Sequence, residues 1–364
     1  MKRIHVWANR WLISYNPDKT ELVLFSLRDD ICSLKLLFDD KLVKNVENHK
    51  HLGLIFSSNG KWSTHVSAIV SKTSKMISSM RKLKYLLNRN TLLKIYTVFI
   101  RPHFEYASEV WDGCGKDLSL ELERLQMEAA RIITGLPKYS SFDSLYYETG
   151  LEALSERRRI RKLSLFYNIQ NNNSPMYLKE IVPDMVGSRS HYNLRNSSNI
   201  TLPKTRIKIS HESFFPSTIR LWNNLSSEIR NCPSVSKFKL SIKAPTASAP
   251  LYFSYGVRKL NILHTQLRHT ASRLNYDLYR VGLIEDSSCA CGNPCENSYH
   301  YFIEFPMYRQ NRTTMFKSIQ DVLDCNIVIT LSIVLNGIAD MANYKNEMIF
   351  KCVQSYISKS RRFQ

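Results

Sequence analysis

The spacing of apolar residues changes near residue 63 of the chain. Before that point apolar residues come in short runs bounded by turn residues. Val6 to Leu12 reads as the end of an amphipathic helix. Asn16-Pro17-Asp18 is turn chemistry, because Pro17 fixes φ and Asp18 can bond its own backbone. Thr20 to Phe25 predicts a buried strand. Leu34 to Phe38 and Leu42 to Val46 predict a hairpin about Asp39-Asp40-Lys41. His51 to Phe56 predicts another strand, ending at the turn Ser57-Ser58-Asn59-Gly60.

From Thr64 the period becomes helical, with Val66, Ile69, Val70, Thr73, Met76, Ile77, Met80 and Leu83 at three- and four-residue steps. Thr91 is the expected cap of a second helix, through Leu92, Ile95, Tyr96, Phe99 and Ile100, with Pro102 as a kink. Leu118 to Thr134 predicts a third helix, stopped by Gly135 and Pro137, and Ser155 to Ile169 a fourth. Asn171 to Leu202 is polar and reads as a long loop. Phe214 to Ile229 predicts a further helix, and Lys243 to Pro250 a linker. Leu260, Leu263, Leu267, Leu274, Leu278 and Val281 give a last helical region before a cysteine cluster and a helical tail. The pattern predicts an α+β chain in which helix dominates.

Charge narrows the function. The 364 residues carry 51 Lys and Arg against 31 Asp and Glu, a formal net charge of +20. That balance favours a polyanionic partner, nucleic acid before an acidic membrane. Lys72, Lys75, Arg81, Lys82 and Lys84 decorate the first long helix. Arg157, Arg158, Arg159, Arg161 and Lys162 crowd the start of the fourth, where positive charge opposes the helix dipole. Two readings stay open for these cations: phosphate contact and a solvated face. Ile327 to Leu335, the longest apolar run, is far short of the ~20 residues of a spanning helix. Lys2, Arg3 and Asn9 interrupt any signal-peptide core. No membrane partner is expected, and the location expected is intracellular, cytoplasmic or nuclear.

Three of the eight cysteines cluster at Cys289, Cys291 and Cys295, followed by His300. Such clustering suits a reducing compartment and a zinc site, which wants four thiolate or imidazole ligands. Three readings remain: a zinc site of Cys289, Cys291, Cys295 and His300, a degenerate knuckle, and plain thiols. Tyr299, Tyr301, Phe302, Phe305 and Tyr308 around it suit either base stacking or a small core of their own. No nucleophile arrangement or phosphate-binding glycine loop is visible, and no catalytic residue is assigned.

Several segments together resemble the reverse transcriptase of non-LTR (LINE-type) retrotransposons. Asn16-Pro17-Asp18-Lys19-Thr20-Glu21 looks like the palm segment after the catalytic hairpin. His49 to Phe56, with Trp62 and His65, looks like the strand that leads into the thumb. Tyr96 to Trp111 (YTVFIRPHFEYASEVW) is similar to the thumb-helix signature, and Phe215, Trp222, Asn223 and Leu225 resemble a stretch beyond it. The segment from Tyr255 through the cysteines resembles the terminal region of such polyproteins.

The resemblance implies four regions: a palm remnant at 1–62, a thumb-like helical region at 63–150, a basic post-thumb region at 151–243, and a helical region with a Cys/His knuckle at 251–364. It implies RNA and DNA as partners, together with upstream palm and fingers of the same polyprotein. The family's two-metal chemistry needs clustered aspartates before Trp7, so magnesium is expected only for the full-length enzyme and this chain alone is expected to be inactive. Asp29-Asp30 and Asp39-Asp40 do not replace that cluster, since the latter follows Lys19 and sits in turn context. Lys19 itself reads as a solvated turn lysine. Phe305 stands where the family carries a fourth zinc ligand. A stand-alone nucleic-acid binder derived from a retroelement, and a decayed reading frame, remain as alternatives.

Overall fold

Leu52 and Gly53 both have positive φ, 45° and 85°, and this pair sets the longest strand pairing among the described residues. Two central residues with φ > 0 make the tight turn whose twist matches a hairpin. Asn48–His51 therefore pairs antiparallel with Leu54–Ser57, Asn48 facing Ser57 and His51 facing Leu54. The Tyr106 hydroxyl donates to the Leu52 carbonyl at 2.9 Å and holds the turn. A single strand over 51–56 was the expectation; the turn falls inside that stretch instead.

The computed structural model describes residues 2–14, 16–27, 34–38, 41–189, 196–244, 249–323 and 327–364. It is mainly helical with a few short strands, an α+β composition as expected. The chain forms two units. The first comprises Met1–Lys72, Glu105–Leu122 and Arg158–Ile242; the second comprises Thr73–Phe104, Glu123–Arg157 and Lys243–Gln364.

In the first unit, the Lys2–Arg10 helix precedes a 3-10 turn at Pro17–Lys19 that leaves Lys19 exposed. The buried strand expected at Thr20–Phe25 is reduced to Glu21–Leu22, parallel to Lys44–Asn45. Phe25 is 60% exposed, because a two-residue ladder offers its side chain no covering layer. Leu37–Phe38 pairs antiparallel with Lys41–Leu42. Asp39 and Asp40 between them, like Asp29 and Asp30, lie outside the described residues.

The core of this unit is aromatic. Leu163, Phe166 and Tyr167 pack with Ile219 and Trp222 of the Phe214–Asn223 helix and Phe238 of the Val235–Ile242 helix. Phe166 meets Trp222 edge-on at 5.2 Å, and Tyr167 stacks on Phe238 at 4.6 Å. Beside Trp222, the Asn223 amide donates to the Ile200 carbonyl and accepts from its N–H, at 2.9 and 3.0 Å. That clamp ties the long polar segment to the core; the described residues of 171–202 hold Met176–Glu180, the 3-10 turn Val186–Arg189 and a bridge from Met185 to Ile200. The single helix expected over 214–229 breaks after Asn223, and Ser226 caps a second piece, Ser227–Arg230.

In the second unit, Asn88 rather than Thr91 caps the Arg89–Ile95 helix, its side chain accepting from the Thr91 N–H at 2.8 Å. A π-turn, Tyr96–Ile100, follows directly. It lies one turn before Pro102, which has no N–H to offer the Val98 carbonyl. Gly135, at φ 81°, ends the Lys116–Thr134 helix; a Cβ there would stand 2.6 Å from Ile262. The Phe142–Thr149 helix begins at the cap Ser141 and ends at Gly150 with φ 64°. The Arg309–Leu323 and Asn343–Ser360 helices pack with Tyr301, Phe302 and Tyr308 into one apolar core.

Candidate functional site

The ten cations singled out in the sequence fall into two groups. On the Ser63–Lys82 helix, Lys72, Lys75, Arg81 and Lys82 are exposed, while Ile69, Ile77 and Met80 take the buried face. Arg81 pairs with Glu128 at 2.6 Å on the surface. Lys84 is half-buried, its ammonium 5.2 Å from the centre of the Tyr85 ring.

The cations of the Leu154–Gln170 helix sit differently. Arg158 is fully buried, its Nε donating to Asp112 at 2.7 Å and its guanidinium lying 5.5 Å from the Trp111 ring centre. Lys162, also buried, reaches the other Asp112 oxygen at 2.7 Å. Arg159 donates to the Ile242 carbonyl at 2.6 Å, and Arg161 to Glu109 at 3.0 Å. In the second unit Arg157 pairs with Glu152 at 3.0 Å. Arg158 and Lys162 are both buried and share Asp112 as their carboxylate partner. The helix start is capped as well, since Glu123 accepts from the Leu154 N–H at 2.8 Å. That carboxylate offsets the opposition between basic residues and the helix dipole.

A second buried ionic cluster has no sequence signature. Glu148 is fully buried and meets Arg89 at 3.3 Å, Arg268 at 3.2 Å and His269 at 3.0 Å, with the Tyr252 hydroxyl donating at 3.0 Å. Burial alone would push its carboxyl up; the His269 hydrogen bond and the charges of Arg268 and Arg89 outweigh that and hold it at about 2. Arg258 serves as a clasp, donating to the carbonyls of Lys84, Ile132 and Ile133 at 2.9, 2.7 and 2.6 Å. Arginine forks on helix-end carbonyls satisfy acceptors the helix leaves open.

The cysteine turn brings three of its four expected ligands together. The donor atoms of Cys289, Cys291 and His300 all lie within 4.8 Å of one another, and Cys291 Sγ is 3.3 Å from His300 Nε2. The loop closes tightly: Cys289 N–H donates to the Asn293 carbonyl at 2.8 Å and Gly292 N–H to the Cys289 carbonyl at 2.9 Å, with Gly292 at φ 91°. Glycine is suited to that position, since side chains rarely tolerate it. Asn297 caps the turn that carries His300, accepting from its N–H at 2.8 Å. On the far side of the ring, His300 Nδ1 faces Glu304 at 3.4 Å. A carboxylate behind a histidine fixes its tautomer and raises its basicity as a ligand.

Two thiols and an imidazole so placed are a donor set that suits zinc. Burial pushes the Cys289 thiol up, a cost that metal binding must overcome because it takes the thiolate. Cys295 is not in the group; its sulfur accepts from the Asn297 amide at 3.3 Å. Phe305, where the resemblance implies a fourth ligand, stacks on His300 at 5.0 Å and is buried. Among the surrounding aromatics, Tyr301, Phe302, Phe305 and Tyr308 are core, and Tyr299 is half-exposed.

Two curated relatives bear on the affiliation. Over 158 residues the chain is 23% identical to the probable RNA-directed DNA polymerase from transposon BS of Drosophila melanogaster, which covers 42% of the chain and 17% of that protein. Over 141 residues it is 29% identical to the probable RNA-directed DNA polymerase from transposon X-element of the same fly, covering 36% of the chain and 15% of the relative. The chain is related to transposon reverse transcriptases. It spans about a sixth of the length of these relatives. No protein-family model matches it, and no solved structure does. Among the described residues no helix is long and apolar enough to cross a membrane.

Proposed function

We propose that this chain is the C-terminal part of a retroelement RNA-directed DNA polymerase, that it holds template RNA and primer DNA, and that it does not polymerise by itself. The similarity to the two fly transposon polymerases carries the reading. The net charge of +20 supports a polyanion as ligand. Lys72, Lys75 and Lys82 supply phosphate contacts, because their charges stand outside the fold. Upstream palm and fingers would cover the exposed apolar residues Val6, Trp7, Trp11, Leu12, Phe25 and Leu42, all at least half exposed. Clusters of exposed large apolar side chains mark interaction faces when they are contiguous.

The test is primer extension on the purified chain with magnesium, beside RNA binding under a salt titration. Binding that weakens steeply with salt, without extended primer, is the expected result. Extension that Asp39→Ala abolishes would overturn the reading. For the cysteine turn, one zinc per chain is expected at Cys289, Cys291 and His300, with Cys291→Ser losing it and Cys295→Ser keeping it. Calorimetric zinc titration measures both.

A further inference from the structure

One cavity in the first unit is used by none of the contacts above. It has a volume of about 650 Å³ and lies between the turn at Gly60–Ser63, the Gly113–Gly115 turn and the segment 207–213. Backbone proximity builds it. A Cβ on Gly113 would stand 2.7 Å from the Glu212 carbonyl oxygen, so only glycine lets these two walls meet. Its lining is mostly apolar, with Val110, Leu118, Ile209 and the Trp62 indole. Lys61 and Lys208 line it too, and both are exposed, with the Lys208 side chain 81% exposed. Glu212 lies 4.0 Å from Lys208, which tempers the charge without removing it. Cys114 brings no charge to the wall, since burial pushes its thiol up to about 11.

The volume is within the range of small-ligand sites, roughly 300–1,000 Å³. A mostly apolar lining with an aromatic wall and two exposed lysines matches a flat uncharged ring flanked by anions. Single-stranded nucleic acid has that chemistry: bases stack on aromatic side chains while cations track the backbone. A double helix does not, because its bases are already stacked on one another.

We infer that this cavity takes one unpaired base of a single-stranded nucleic acid, with Trp62 in its wall and Lys61 and Lys208 at the flanking phosphates. The inference rests on the reading that the chain binds nucleic acid, and its test separates the two. The full chain is titrated at fixed salt with a short oligouridylate and with an abasic oligonucleotide of equal length and backbone charge. The oligouridylate is expected to bind about tenfold more tightly, the lower part of the range for one stacked base. Val110→Trp, at a half-exposed position of the wall, fills the cavity and should abolish the difference while leaving abasic binding unchanged. Trp62→Leu should reduce it; if that variant fails to fold, Val110→Trp still decides. Equal affinities for the two oligonucleotides would overturn the base site and leave phosphate binding standing. A preference that survives Val110→Trp would overturn it as well. Binding of neither would overturn both readings. An acidic amphipathic peptide that binds in preference to the oligouridylate, and is lost in Val110→Trp, would assign the cavity to a protein partner instead.

Discussion

The Ser63–Lys82 and Leu154–Gln170 helices carry similar densities of positive charge, and the fold uses that charge in opposite ways. Along the first, Lys72, Lys75 and Lys82 stand in solvent. Along the second, Arg158 and Lys162 are buried on one carboxylate, Asp112, and Arg161 leans on Glu109. The acids that make the difference are not on the helix. Asp112 is 46 residues from Arg158 in sequence, and Glu109 is 52 from Arg161. A run of cations is therefore not a phosphate-binding surface until the acids that fold onto it have been located. By the same logic Glu148 is the counterion that Arg89, Arg268 and His269 share inside the second unit.

The largest effect expected from this contrast is at Glu148. Glu148→Ala should cost about 3–5 kcal/mol, because it leaves buried guanidinium groups without a counterion; chemical denaturation measures it. The pH dependence has a definite sign. The folded carboxyl is held at about 2, below its ordinary 4.5, so its contribution is fully present above pH 4.5 and is lost as pH falls toward 2. Acid melts of the native chain should show that loss and those of Glu148→Gln should not. Asp112→Ala comes next, at about 3 kcal/mol, since it strands both Arg158 and Lys162. Removing Lys72, Lys75 and Lys82 together should leave stability within about 0.5 kcal/mol and weaken RNA binding several-fold. The smallest effect is Arg161→Ala, a half-exposed pair worth about 0.2–1 kcal/mol, with RNA affinity unchanged.

Much of the helical layout could be read from the sequence, because burial follows the 3.6-residue period: Val66, Ile69, Ile77 and Met80 of the Ser63–Lys82 helix are core as expected. The end of the Lys116–Thr134 helix was legible at Gly135 for the same local reason. What failed was non-local. The turn at Leu52-Gly53 depends on a leucine at φ 45° that Tyr106 holds from 54 residues away, and apolar periodicity does not register it. The Phe142–Thr149 helix carried readable signals, Ser141 before it and Gly150 after it. Glu148 on that helix carried none, since its partners lie at 89 and 268–269. In the cysteine turn spacing was enough to bring Cys289, Cys291 and His300 together, but not to place Cys295, whose sulfur turns to Asn297.

The salt dependence of RNA affinity tests the central claim most directly. Each phosphate neutralised on a single strand contributes about 0.7 to the slope of log affinity against log salt. For the Lys72→Ala, Lys75→Ala, Lys82→Ala triple variant the account predicts a slope shallower by about 2 than that of the native chain, with Arg161→Ala matching the native chain. A triple variant that keeps the native slope, beside an Arg161→Ala chain that loses it, would contradict the division between the two basic helices.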